Sequence, residues 1–165
     1  MDSGFEKRIA HGTFSYTSFD LMTTGSTLRR ALRRSLTQEA GTNADARAVA
    51  AAAFRAYERF AQQLTPLIGE AGVHVLCARS LHVTQRDFPW LGQGRPFNEG
   101  DAPFSRVRLS LEGQEPAVAT AAAVALLAAL GELLASLIGN GLTARFLREA
   151  WPESYSHDTS LETIK

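Results

Sequence analysis

Cysteine and lysine are scarce in this chain of 165 residues. Cys77 is the single cysteine, so the chain cannot form an internal disulfide bond, and it suits a reducing compartment. The first residues lack the basic, apolar and small-residue order of an export signal, and we expect a cytoplasmic protein. Lys7 and Lys165 are the only lysines among 17 basic residues, a bias typical of GC-rich bacterial genomes.

The chain also lacks net charge and an apolar run of membrane-spanning length. Its 17 basic and 17 acidic side chains cancel, so no overall field draws it to nucleic acid or to anionic lipid. Gly131 and Glu132 interrupt the longest apolar stretch, residues 117–138, and its uncharged part falls short of the roughly 20 residues that a span needs. We therefore predict a buried central helix there and no membrane span.

The sequence fingerprints of common enzyme classes are also missing. We find no nucleophile elbow, phosphate loop or dinucleotide-binding motif, because Gly92-Gln93-Gly94 leads to Pro96 and not to the start of a helix. We predict no bound cofactor, and we regard catalysis as the less favoured kind of function.

Helical periodicity dominates the rest of the sequence. It predicts a mainly α fold, a helical bundle of about four principal helices arranged as two hairpins. Hydrophobic residues make up 45% of the chain and charged residues 21%, proportions that suit one soluble domain. We assign that domain to residues 25–152, between a flexible N-terminal segment, 1–24, and a polar C-terminal tail, 153–165.

Helix caps and apolar spacing set the expected helix boundaries. In the long second helix, apolar side chains recur at spacings of three and four, from Val49 through Tyr57 to Leu64. The expected elements are a basic helix from Ser26 or Thr27 to Gly41, a helix over 44–64 capped by Asn43, a short turn begun by Thr65-Pro66, a helix over 71–87 stopped by Pro89, a helix opened by Glu115-Pro116 and broken by Gly139, and a last helix over 142–151.

A short motif occurs twice in the chain. The sequence Leu-Ile-Gly at residues 67–69 recurs at residues 137–139, each time after a long apolar stretch and before a shorter segment that carries an arginine. Aligned with one gap, the two segments place Arg79 opposite Arg148. The repeat predicts two related helical hairpins, although these residues are also the ordinary residues of a helix end.

Two segments have the residue pattern of β-strands. Val107, Leu109 and Leu111 alternate with polar residues over 106–112, which is the best strand candidate in the chain. Residues 13–19 are rich in aromatic and β-branched side chains. A short two-stranded ribbon between these segments is an option that the sequence leaves open.

Most polar residues that could form a site lie on one predicted helix. His74, Cys77 and His82 are metal-binding types, but a helix turns by about 100° per residue and points them in different directions, so we predict no metal site. Cys77 is either a small core residue or a thiol activated by a neighbouring cation. A pocket between the hairpins would present His74, Cys77, Arg79, His82 and Arg148 to a ligand.

Basic and aromatic residues offer two further surfaces. The arginines of the first helix would form either a phosphate-binding face or a solvated one. The aromatic and apolar residues at the ends of two helices would either close the core or anchor a protein partner. The basic residues are Arg29, Arg30, Arg33 and Arg34, and the candidate interaction residues are Phe88, Trp90, Leu91 and Trp151.

The lack of catalytic motifs and the many apolar residues favour a small cytoplasmic signalling or regulatory adaptor that acts through protein contacts, as a homodimer. The sequence does not identify its protein partner. One alternative is a ligand-binding sensor or small enzyme with a pocket between the two hairpins. A second alternative, less favoured for a chain without net charge, is nucleic-acid binding through the helix that carries residues 29–34.

Overall fold

The structure, a computed structural model, describes residues 25–93 and 103–151. The described residues form helices and no strand, so the predicted mainly α helical bundle is confirmed. The candidate strand at 13–19 and the predicted terminal segments 1–24 and 153–165 lie outside the described residues. The helices are α1 (25–40), α2 (Ala46–Thr84), α3 (Pro103–Glu112), α4 (Pro116–Ile138) and α5 (Asn140–Ala150).

Two glycines break the long helices. Gly69 interrupts α2 with φ 75° and ψ 166°, and Gly139 separates α4 from α5 with φ 88° and ψ 161°. Positive φ with an extended ψ is a conformation that only glycine adopts readily. Both copies of the Leu-Ile-Gly motif therefore end a helix in the same backbone conformation.

The chain reverses direction at both breaks. The Tyr57 hydroxyl is hydrogen-bonded to the Cys77 sulfur, although a continuous helix would separate these residues by about 30 Å. Beyond the second break, Leu147 Cδ1 of α5 lies 3.7 Å from the place that a Cβ on Gly131 of α4 would take. The helices on either side of each glycine thus pack against each other, as the two predicted hairpins require.

The two hairpins match at a spacing of 70 residues without any gap. Their long helices begin at Ala46 and Pro116, and each runs for 23 residues before its glycine. Buried positions recur at the same spacing on both sides of the glycine. The matched buried pairs include Val49 and Ala119, Ala53 and Ala123, Tyr57 and Leu127, Phe60 and Leu130, Leu64 and Leu134, Val73 and Thr143, and Cys77 and Leu147.

This register corrects the sequence alignment of the two hairpins. At a spacing of 70 residues, Arg79 corresponds to Glu149, so its expected match with Arg148 is wrong. The gapped alignment places Gly72 opposite Gly141. The buried positions that follow Gly69 and Gly139 coincide when the two hairpins are aligned without this gap.

The core lies mainly between α2 and α4, the pair of helices with the largest contact. α4 is buried around most of its circumference, and α1 adds Leu28, Leu32 and Leu36 to the same core. By length and composition, α4 is long and apolar enough to cross a membrane, and 56% of its most apolar window is buried in the bundle. The core helix of a soluble protein has the same properties.

The prediction of a strand over 106–112 is wrong, because these residues belong to α3. Phe104, Val107 and Leu111 are fully buried at helical spacings of three and four, whereas Leu109 is 55% exposed. Val107 and Leu111 fit both an alternating and a helical pattern, so a stretch of seven residues did not separate the two periods.

Two helix-end predictions also need correction. Asp45, not Asn43, caps α2, since its Oδ1 accepts a hydrogen bond of 2.8 Å from the Ala48 amide. Thr65 does not begin a new turn, because its hydroxyl donates to the Ala61 carbonyl at 2.7 Å and the helix continues to the glycine. Either cap is chemically suitable, and the sequence alone did not choose between them.

Candidate functional site

The polar residues predicted to share a ligand do not converge. His74, Arg79 and His82 lie on exposed faces of α2, whereas Cys77 is buried, and Arg148 is exposed on α5. Arg79 lines one of three concave surfaces formed by the described residues, and the other four line none of these three. Within that part of the chain, no three His, Cys, Asp or Glu side chains are close enough to hold a metal ion.

Cys77 has the environment of a core residue. Its side chain has no exposed surface, and burial raises the pKa of its thiol to about 11, although the hydrogen bond from Tyr57 acts in the opposite direction. Burial also raises the pKa of the Tyr57 hydroxyl. A thiol that is both protonated and buried is a poor nucleophile, so the geometry favours core packing over reactivity.

The four candidate interaction residues lie in the core or against it. Leu91 and Trp151 are buried, and Trp151 stacks on Phe60 with ring centroids 5.9 Å apart. Phe88 and Trp90 are half-buried and pack edge to face, with centroids 6.0 Å apart. These contacts favour the interpretation that the aromatic residues close the core.

The arginines of α1 form an exposed basic face. Arg29 lies 3.9 Å from Glu132 of α4, with about half of each side chain exposed. Arg30, Arg33 and Arg34 are exposed and form no ion pair with the described acidic residues. An exposed pair at this distance stabilises the fold by less than about 1 kcal/mol, so the face is mainly solvated.

An apolar groove of about 570 Å³ opens between the two hairpins. We call it the interhairpin groove, and it lies between the part of α2 that follows Gly69 and the last turns of α4. The predicted alternative of a pocket between the hairpins also places a site in this region. The residues that line the groove are Ile68, Ala71, Gly72, Val75, Leu76, Arg79, Leu133, Ser136 and Leu137.

Large apolar side chains of the interhairpin groove are in contact with solvent. Val75 is 70% exposed, Leu137 68% and Ile68 37%, and Leu67, which precedes Ile68 in the chain, is 59% exposed. Burying apolar surface contributes about 25 cal/mol of stabilisation for each Å², and side chains left in water do not gain it. Apolar surface that is grouped in this way is typical of a binding site, unlike single exposed leucines.

Arg79 is the one charged residue that lines the interhairpin groove. It is exposed, and no acidic side chain in the described ranges lies within ion-pair distance of it. The groove therefore combines an apolar surface with one cation that has no counter-charge of its own.

The charges at two other concave surfaces of the described residues already have partners. In a polar hollow between α1, α2 and the end of α5, Glu39 accepts from Arg55 at 2.6 Å and from Arg59 at 3.0 Å, and Glu149 pairs with Arg145 at 3.6 Å. Glu132, at the edge of an apolar hollow beside α5, faces Arg29. Neither hollow offers an unpaired charge to a ligand.

The predicted pocket between the hairpins included Arg79, but its other predicted residues do not line the interhairpin groove, and the apolar residues that do were not predicted. The repeated Leu-Ile-Gly motif was the available signal, because it places large apolar residues at both helix breaks. Ile68 and Leu137 meet in space only because the chain reverses at both glycines and the two hairpins then pack side by side.

No protein-family model matches this chain, and no match was found among the curated proteins or among the solved structures.

Proposed function

We propose that this chain is a small regulatory or adaptor module that binds a protein through the interhairpin groove. One observation carries the proposal: Val75 and Leu137, from different hairpins, are each about 70% exposed and line the same groove. Protein partners bury grouped apolar side chains of this kind, and burying each one fully contributes about 1.5–3 kcal/mol.

The chemistry of the groove supports binding over catalysis. Its polar side chains are those of Arg79 and Ser136, and it contains no carboxylate, imidazole or thiol that could act as an acid, base or nucleophile. Ser136 donates its hydroxyl hydrogen bond to the Leu133 carbonyl at 2.6 Å. The groove thus offers an apolar surface and one cation, and an amphipathic helix of another protein can bind to such a surface.

Site-specific photo-crosslinking in the source cells tests this proposal. A photoreactive residue at position 137 should yield a covalent protein adduct that is lost when Val75→Glu is added, because a buried carboxylate would destabilise the contact. The matched control carries the photoreactive residue at position 109. Leu109 is 55% exposed on α3 but does not line the groove, and we expect no such adduct there.

The mass of the adduct also tests the predicted homodimer. An adduct of twice the chain mass would support a homodimer, and any other mass would indicate a different protein. Equal labelling from positions 137 and 109, or no adduct from either, would contradict a protein-binding role for the groove. Cytoplasmic location and a signalling role are further parts of the proposal that the same experiment addresses through the identity of the partner.

A further inference from the structure

We infer that the occupant of the interhairpin groove is an amphipathic helix of about two turns, from a different protein, that carries a carboxylate for Arg79. This inference rests on the proposed function and specifies the partner of the same site. It depends on three observations: the spacing of the groove residues on α2, the small residues among them, and the charge of Arg79.

The spacing of the groove residues fits a short helix. Gly72, Val75 and Arg79 lie three and four residues apart on α2, so they form one stripe along the groove. From Gly72 to Arg79 the helix rises by about 10 Å, which is about two helical turns. A partner helix would meet this stripe with apolar residues at matching spacings of three and four.

Small residues in the groove allow a helix backbone to approach closely. Ala71, Gly72 and Ser136 contribute little side-chain volume between the larger Ile68 and Val75. The Ile68 side chain lies over Gly72, where a Cβ would come within 3.0 Å of the Ile68 Cβ, so glycine lets Ile68 lie close to the helix backbone. Helices that pack through small residues come nearer than the usual 8–10 Å or so between axes.

The charge of the groove selects the partner. A carboxylate can form two parallel hydrogen bonds with the guanidinium of Arg79, whereas a lysine or arginine at the same place would be repelled. A second copy of this chain fits less well. In a two-fold contact the same surface meets itself, and no acidic residue lines this groove to pair with the second Arg79.

Peptide titration of the full-length, ¹⁵N-labelled protein tests the inference. The probes are two alanine-based peptides of about 16 residues with leucines at spacings of three and four. They differ at one position, a turn beyond the last leucine, where one carries glutamate and the other lysine. We expect the glutamate peptide to shift the amide signals of Gly72, Val75 and Leu137 and to bind about tenfold more tightly than the lysine peptide.

Charge reversal in the protein provides the decisive comparison. Arg79→Glu should invert the preference, so that the lysine peptide binds more tightly. Arg86→Glu is the matched control, because Arg86 is an exposed arginine in the turn just after α2 and does not line the groove. It should leave the preference for the glutamate peptide unchanged.

Three results would overturn the inference. The first is the absence of shifts in the groove signals at millimolar peptide, and the second is a charge preference that Arg79→Glu does not alter. The third is a doubled solution mass together with groove signals that move as the protein concentration rises without peptide. If a crosslinked protein partner is still obtained through position 137 in any of these cases, the proposed function stands and only the acidic helix is excluded.

Discussion

At the scale of single residues, helix phase decides which side chains are available for chemistry. Cys77 and Arg79 are two residues apart in α2, yet one is a fully buried thiol and the other a solvent-exposed cation at the groove. The buried thiol is linked to the stability of the fold, because burial raises its pKa from 9.0 to about 11. The exposed cation has no such role in the core and is available to a partner.

The raised pKa of Cys77 predicts that stability falls in alkaline solution. Below about pH 9 the thiol is protonated in both the folded and the unfolded chain. As the pH rises toward about 11, the unfolded chain releases the proton while the folded chain retains it, so the free energy of unfolding decreases. We expect a loss on the order of 2 kcal/mol by about pH 11 from this group, measured as a falling urea midpoint.

Two variants distinguish the titration of the Cys77 thiol from that of other groups at alkaline pH. In Cys77→Ala, much of the decrease in the free energy of unfolding between about pH 9 and 10 should be absent. The pH dependence of stability that remains above about pH 10 comes from tyrosines such as Tyr57. Val73→Ala is the control, because it also shortens a buried side chain on this part of α2 but removes no titrating group. An unchanged pH dependence in Cys77→Ala would show that the thiol is not responsible.

At the scale of helices, the two glycine breaks determine the shape of the molecule. Gly69 and Gly139 share a conformation that other residues adopt only at a cost. No atom lies within 4 Å of the place that a Cβ would take at either position. The requirement for glycine is therefore a property of the backbone and not of packing.

Alanine at either break should destabilise the fold. We expect Gly69→Ala and Gly139→Ala each to lower the free energy of unfolding by about 1–3 kcal/mol, measured by urea titration followed by circular dichroism. Gly141→Ala is the matched control, since Gly141 lies within α5 without a positive φ and has open space around it. This variant should change stability by less than about 1 kcal/mol, in the stabilising direction. Equal stability of all three variants would show that the breaks do not require glycine.

Long helices with a regular apolar pattern were the part of the fold that the sequence predicted well. The start of α4 at Pro116 and its end before Gly139 agree with the expected boundaries, because proline and glycine have specific roles at helix ends. The short α3 was mistaken for a strand, since Val107 and Leu111 fit two periods. A pocket between the hairpins and the place of Arg79 in it were among the predicted alternatives, but the apolar lining was not predicted, because it depends on how the two hairpins pack and not on any local pattern.

At the scale of the whole molecule, one core connects both hairpins. α1, α2, α4 and α5 contribute to a single cluster of buried residues, and Phe104 of α3 joins it by stacking on Tyr57, with ring centroids 4.6 Å apart. Trp151, at the end of α5, donates its indole N–H to the Ala56 carbonyl of α2 at 3.3 Å. Because the hairpins share their packing, neither can unfold without exposing the core of the other.

This shared core predicts a single unfolding transition. Phe60→Leu and Leu130→Val alter equivalent buried positions in the two hairpins. Each should lower the midpoint of the same thermal unfolding transition and reduce the free energy of unfolding by about 1 kcal/mol. Differential scanning calorimetry should then give equal calorimetric and van't Hoff enthalpies for both variants. Separate transitions, each moved by only one of the substitutions, would show that the hairpins fold independently.

The 70-residue spacing has a consequence for how chains recognise one another while they fold. Each half covers its apolar face with the other half, and both halves have long helices of the same length with buried residues at the same positions. A half from a neighbouring molecule offers almost the same complementary surface. We therefore expect domain-swapped dimers, in which two molecules exchange hairpins, when chains fold at high concentration.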